Sequence, residues 1–139
     1  MVIKFKYKKG ESKIFPEIYR PAADVDLWST LKGKWVSVSM YIDSGADITL
    51  IPRSMSELLG FEFNESEITG LRGVGGGMVA VIIKKVPIRI EKHEFEVNVA
   101  WAMIEEVPYL LGQEGVFDRF NVNFKKTDKI IEFEPLSET

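Results

Sequence analysis

Met40-Tyr-Ile-Asp-Ser-Gly-Ala-Asp-Ile-Thr-Leu-Ile-Pro52 places an acidic residue, Asp43, between two apolar runs and follows it with a hydroxyl, a glycine and an alanine. Ahead of it, Val36, Val38, Met40 and Ile42 alternate with Ser37, Ser39 and Tyr41. That is the period of a strand with one buried face, so Asp43 falls where the strand ends. A carboxylate in apolar surroundings loses hydration, and its charge is costly unless partners compensate. Gly45 permits unusual backbone conformations and close approach of another chain. Taken alone, the four residues Asp43 to Ala46 read as a turn, because Asp-Ser-Gly is common turn chemistry.

The same alternation runs outward in both directions. Ile3, Phe5 and Tyr7 alternate with Lys4, Lys6 and Lys8, which predicts a first strand with an exposed lysine row. Val86, Ile88 and Ile90, then Phe95, Val97, Val99 and Trp101, predict a hairpin with Glu91 to Glu94 as its connection. Phe120, Val122 and Phe124 predict another strand, Lys125 to Lys129 a turn, and Ile131 and Phe133 a last strand. Helix signals are few. Pro52 to Leu59, ended by Gly60, carries proline near the start and glycine just past the end, and a second short helix is expected from about Gln113 to Phe120 despite Gly115. Pro16 and Pro21 confine the segment between the first strand and Trp35 to edge strand or irregular chain.

With 139 residues, 45% of them hydrophobic, the chain can form one real core, burying roughly two-thirds of its unfolded surface. No repeat or linker divides it, so one all-β domain over residues 1–139 is expected. The absence of cysteine excludes disulfides, thiolate metal sites and cysteine nucleophiles. The single histidine, His93, reads as an exposed turn residue, and neither a metal nor another cofactor is expected. A net charge of -3 gives no general reason to bind nucleic acid. No apolar run approaches the roughly 20 residues of a membrane helix, and Met1 to Lys8 lacks the apolar block of a signal peptide. A soluble, cytoplasmic protein with no membrane partner is the expectation.

Two further segments change the reading of Asp43. In Gly70-Leu-Arg-Gly-Val-Gly-Gly-Gly-Met-Val79, four of the 11 glycines fall within residues 73 to 77. A mobile hairpin tip fits, as does a merely flexible loop; a phosphate-binding loop fits less well, since no Gly-Lys-Ser/Thr follows and a strand comes next. Val107-Pro-Tyr-Leu-Leu-Gly112, by itself, is a buried strand.

In this order, Asp43-Ser44-Gly45-Ala46, Gly73-Val74-Gly75-Gly76 and Leu110-Leu111-Gly112 resemble the retropepsins, the retroviral-type aspartic proteases and their cellular and prokaryotic relatives. The resemblance covers about residues 35 to 134. It implies a closed acid-protease barrel with one or two short helices, active as a two-fold homodimer, and leaves residues 1–34 as an N-terminal extension with edge strands. It further implies an endopeptidase acting on peptide or protein substrates, with water activated between the two Asp43 carboxylates. Ser44 would brace the two loops across the axis, Gly45 would contact substrate backbone, and Ala46, Asp47, Thr49, Leu111 and Gly112 would support the loop. Leu71, Arg72, Gly73, Val74, Gly75 and Gly76 would form the flap, and Ile48, Leu71, Val74, Met78 and Tyr109 are candidates for substrate pockets.

The family's usual arginine after Hydrophobic-Hydrophobic-Gly, which pairs with the acid matched here by Asp47, is Gln113 in this chain. Glutamine can hydrogen-bond a carboxylate without neutralising it; Arg53, Arg72 or Arg119 are candidates to replace the arginine. Ala46 offers no hydroxyl to stabilise an ionised dyad, which predicts a mildly acidic optimum. Pairing of Lys4, Lys6 and Lys8 with Glu132 and Glu134, within or between protomers, would set register more than affinity. A second reading, motivated by Gln113 and the extension, is a catalytically silent dimerisation or peptide-binding module; a third makes residues 1–34 a self-inhibitory segment.

Overall fold

The computed structural model describes residues 1–73 and 76–136. The chain runs through β1 (Ile3–Lys6), β2 (Lys8–Gly10), β3 (Ile18–Arg20), β4 (Ala22–Ser29), β5 (Lys34–Ile42) and β6 (Thr49–Ile51) to a short α-helix, α1 (Met55–Leu59), and a 3-10 turn at Glu65–Glu67. It continues through β7 (Thr69–Arg72), β8 (Met78–Ile90), β9 (His93–Ala102), β10 (Leu110–Leu111), β11 (Phe120–Lys125) and β12 (Ile130–Pro135).

Six strands close a barrel in the order β4-β5-β10-β6-β9-β8, with β8 returning to β4 through Asp26↔Arg89 and Leu27↔Ile88. β7 extends the sheet beyond β8. Closure removes free edges from the ring, and the inward faces fill it with Leu27, Met40, Ile82, Ile88 and Trp101, all fully or nearly fully buried. The expected all-β barrel is therefore the observed architecture. Outside the ring, β1-β12-β11 form a three-stranded sheet whose inner face stacks Phe5, Phe120 and Phe133 edge to face. Lys4 reaches Glu132 at 3.9 Å within the protomer, while Lys8 turns to Asp24 at 2.8 Å.

Five local expectations are corrected. The segment after Pro21 is not an edge strand or irregular chain: β4 pairs with β5 over eight residues and with β8, and Ala22, Ala23, Val25 and Leu27 are fully buried. Pro21 stands just before the strand, where its missing N–H costs nothing, and its carbonyl accepts from the Ile42 N–H at 3.0 Å. The first strand breaks at Tyr7, whose N–H goes to Lys129, so that β2 leaves to form a separate ribbon with β3.

The β8–β9 connection is only Glu91 and Lys92, with Ile90 paired to His93 and Glu91 at φ 55. His93 is thereby a half-buried strand residue packed edge to face on Phe120. No helix forms over Gln113–Phe120. Gly115 adopts φ 75, and the N–H groups of Val116 and Phe117 both turn back to the Gln113 carbonyl, which leaves a series of turns. The expected helix before Gly60 does form, beginning three residues later than Pro52; Gly60 caps it at φ 81 with its N–H on the Ser56 carbonyl.

Candidate active site

β5 delivers Asp43 to the surface at the point where its own ladder ends. The last two residues of β5, Tyr41 and Ile42, lie beside Leu110 and Leu111 in a parallel pairing, and the Asp43 N–H donates to the Leu111 carbonyl at 3.1 Å. The chain then turns sharply. One Asp43 carboxylate oxygen accepts from the Gly45 N–H at 2.9 Å, and the Asp43 carbonyl accepts from the Ala46 N–H at 3.2 Å. Turn chemistry and a presented carboxylate are thus the same feature: the turn holds one oxygen, and Asp43 as a residue remains partly exposed.

The far side of the loop is tied down from residues 112 to 114. Gly112 donates to the buried Thr49 hydroxyl at 3.1 Å, Gln113 N–H to the Ala46 carbonyl at 2.9 Å, and Glu114 N–H to the Asp47 carbonyl at 2.9 Å. Gly112 packs so closely on the Ile48 backbone that a Cβ there would meet it inside 3.0 Å. Asp43, Ser44, Gly45, Ala46, Asp47, Thr49, Leu111 and Gly112 are therefore brought together as one braced unit.

Gln113 serves that brace in an unexpected way. Its side-chain amide donates to the Ser44 carbonyl rather than to the Asp47 carboxylate. None of the three candidate arginines pairs with Asp47 among the described residues: Arg53 lies on Phe63 and the Met103 carbonyl, Arg119 covers Phe95, and Arg72 stands on β7. Among the described residues Asp47 enters no ion pair, so the loop is held by amides and not by charge neutralisation.

Leu71 and Arg72 lie on β7, paired with Val79 and Met78 of β8 in a hairpin. Gly73 and Gly77 close it through a 2.7 Å hydrogen bond, and Gly76 takes φ 84. Val74 and Gly75 lie outside the described residues. The base of this hairpin shares a small apolar cluster with the Asp43 loop, since Leu71, Val79, Ile48 and Leu110 all pack on Leu50, Val81 and Ala100.

Beside Asp43 opens a cavity of about 770 Å³, walled by Tyr41, Pro108 and Leu110 on the barrel side and by Gly10 and Arg20 of the β2–β3 ribbon on the other. Tyr109, expected to line a pocket, instead packs against the main core. Alternation along Pro108-Tyr109-Leu110 turns its neighbours to the cavity. The ribbon residues were missed because nothing in the local sequence ties residues 9–20 to Asp43; Tyr41 could have been found as the outward neighbour of Asp43 on β5. No three His, Asp or Glu side chains converge as a metal site among the described residues. Nor is any helix among them long and apolar enough to cross a membrane.

The aspartyl protease family model matches residues 29–114, more than half of the chain. Among solved structures, a retropepsin-like aspartic protease from Rickettsia conorii is similar at 12% identity, covering 96% of this chain and 91% of that one with a TM-score of 0.61. The EIAV protease, complexed with an inhibitor, is similar at 22% identity over 68% of this chain and 82% of that one, with a TM-score of 0.52. No curated protein matches the sequence significantly.

Proposed function

This chain belongs to the aspartyl protease family, and we propose that its endopeptidase chemistry is divided between two copies, each contributing Asp43 at a two-fold axis. It is an aspartic-type endopeptidase of retropepsin-like fold. One observation carries the division of labour: Asp43 is the only carboxylate in the chain set in an Asp-Ser-Gly-Ala loop, and that loop is fixed on both sides by β10 and residues 112–114.

Water-mediated hydrolysis by carboxylates alone needs a base and an acid together. One ionised Asp43 takes a proton from water as its oxygen attacks the carbonyl carbon, while the protonated Asp43 of the second copy hydrogen-bonds the carbonyl oxygen. The tetrahedral species then collapses as a proton passes to the leaving nitrogen, giving a free carboxylate and an amine. In this reading the exposed Ser44 braces its counterpart across the axis, and Gly45 lets substrate backbone approach. The β7–β8 hairpin closes over the peptide and excludes water. Residues 1–34 belong to the same domain as the 35–134 core, β4 as a wall of the barrel and the ribbon as a flank of the cleft.

The test is digestion of an unfolded polypeptide across a pH series at high enzyme concentration. Cleavage is expected with a maximum above about pH 4, because Ala46 provides no hydroxyl to stabilise an ionised dyad. A maximum at about pH 2 would contradict the role given to Ala46, and no cleavage at any pH or concentration would contradict the mechanism.

A further inference from the structure

Between β9 and β10 the chain runs from residue 103 to residue 109 without strand or helix. Its far end delivers Pro108 and Leu110 to the wall of the cavity beside Asp43, and Val107 joins the apolar cluster shared by the Asp43 loop and the base of the β7–β8 hairpin. Such a segment keeps a fixed course only where its polar groups are tied down. At its two ends the Met103 N–H donates to the Ala80 carbonyl at 2.9 Å, and the Tyr109 carbonyl accepts from the Tyr41 N–H at 2.9 Å. The ties between them run to residues 53 and 54. The Arg53 N–H donates to the Ile104 carbonyl at 3.1 Å, and both oxygens of the Glu105 carboxylate are taken by Ser54, one by its N–H at 2.8 Å and the other by its hydroxyl at 2.7 Å. Behind this contact the Val107 N–H closes a turn on the Glu105 carbonyl at 2.8 Å.

Ser54 stands on a firm post. The indole of Trp101, buried in the barrel, donates to the Arg53 carbonyl at 2.9 Å, and Pro52 and Met55 on either side are buried. A serine ahead of a helix ordinarily turns its oxygen to the first N–H groups of that helix. Ser54 makes no such bond to α1, and its hydroxyl serves Glu105 instead, 51 residues along the chain. Glu105 enters no ion pair among the described residues, although Arg53 adjoins Ser54. A surface ion pair fixes distance loosely, whereas two charge-assisted hydrogen bonds to one residue fix direction as well. Building on the endopeptidase reading above, we propose that Glu105 is a positioning residue for the substrate, holding the 103–109 segment through Ser54 so that Pro108 and Leu110 form the cavity wall. Glu105 itself does not border the cavity. The Asp43 loop is held separately, by Leu111 and residues 112–114, so loss of the latch loosens substrate binding and leaves the reacting carboxylate in place.

The experiment measures kcat and KM separately on a peptide cleaved in the digestion above, together with the dissociation constant of a statine-type transition-state mimic, at a temperature where every variant is folded. Glu105→Ala should raise KM about fivefold and weaken the mimic equally, with kcat within about twofold of wild type, as expected when hydrogen bonds to a charged, solvent-accessible group no longer support binding. Glu105→Gln keeps an oxygen for the Ser54 N–H and an amide that can donate to the Ser54 hydroxyl, and should restore KM to within about twofold. Ser54→Asp sets like charges face to face and should match Glu105→Ala. Ser54→Ala combined with Glu105→Ala should raise KM no further than Glu105→Ala alone, because both act through one contact. The proposal is overturned if Glu105→Ala leaves KM and mimic affinity unaltered, if it lowers kcat alone, if Glu105→Gln is as impaired as Glu105→Ala, or if the two alanine substitutions add. A wild type that binds the mimic and cleaves no peptide counts against the endopeptidase reading alone, and the mimic affinities of the same variants then decide the role of Glu105.

Discussion

Asp43→Asn is expected to reduce peptide cleavage by at least about a thousandfold while leaving the fold and its melting temperature unchanged. Asparagine keeps the shape of aspartate and one side-chain oxygen, so the 2.9 Å hydrogen bond from the Gly45 N–H, and with it the turn, can persist. What it loses is the capacity to take up and release a proton at the centre of the reaction. Mixing experiments sharpen the result. If each active unit needs an ionisable Asp43 from both copies, an equal mixture of wild type and Asp43→Asn that exchanges freely retains only about a quarter of the wild-type pairs. Cleavage that falls in simple proportion to the wild-type fraction points to one working carboxylate per active unit, and equal cleavage by the pure variant removes Asp43 from the chemistry.

Gly112→Ala should damage stability and activity together. The added methyl would meet the nitrogen, carbon and oxygen of Ile48, which are main-chain atoms and cannot rotate aside. Relief requires the 43–49 loop and the 110–114 segment to separate, which also strains the bond from the Gly112 N–H to the buried Thr49 hydroxyl. Overpacking of this kind costs about 1–3 kcal/mol, and a lost buried hydrogen bond adds a comparable amount. A fall in melting temperature of roughly 4–15 °C is expected for a domain of this size, with cleavage falling further because Asp43 sits on the displaced loop. Gly77→Ala is the control. Among the described residues nothing lies within 4 Å of a Cβ at that position, so it should leave the melting temperature unaffected. Equal melting temperatures for the two variants would show that the brace is looser than these contacts imply.

The barrel was legible where burial and strand period coincide. The runs at Val36–Ile42, Val86–Ile90 and Phe95–Trp101 each bury one face, and a slip of one residue would expose the whole set. β4 escapes the constraint that Pro16 and Pro21 suggest because both prolines lie ahead of it, and a proline ahead of a strand does not interfere with its ladder. The turns at Gln113–Phe120 defeated a helix reading because Gly115 sits against Val97 in a left-handed conformation, which sequence spacing does not reveal.

Most of the Asp43 loop could be anticipated because it is one continuous stretch, and the contribution of residues 110–112 came from the order of three motifs. The Gln113 contact was legible only as a departure from the family pattern. That its amide goes to the Ser44 carbonyl, with Asp47 in no ion pair among the described residues, depends on loop geometry. Arg20 was the least visible of the cavity residues, since its approach to Tyr41 requires the chain to leave the β1–β12–β11 sheet at Tyr7 and fold back as a ribbon.

The measurement that bears most directly on shared catalysis is calorimetric titration of the protein with a statine-type transition-state mimic. A single mimic bound for every two chains, with binding lost in Asp43→Asn, is the expected result. One mimic bound to each chain of a persistent monomer would contradict it.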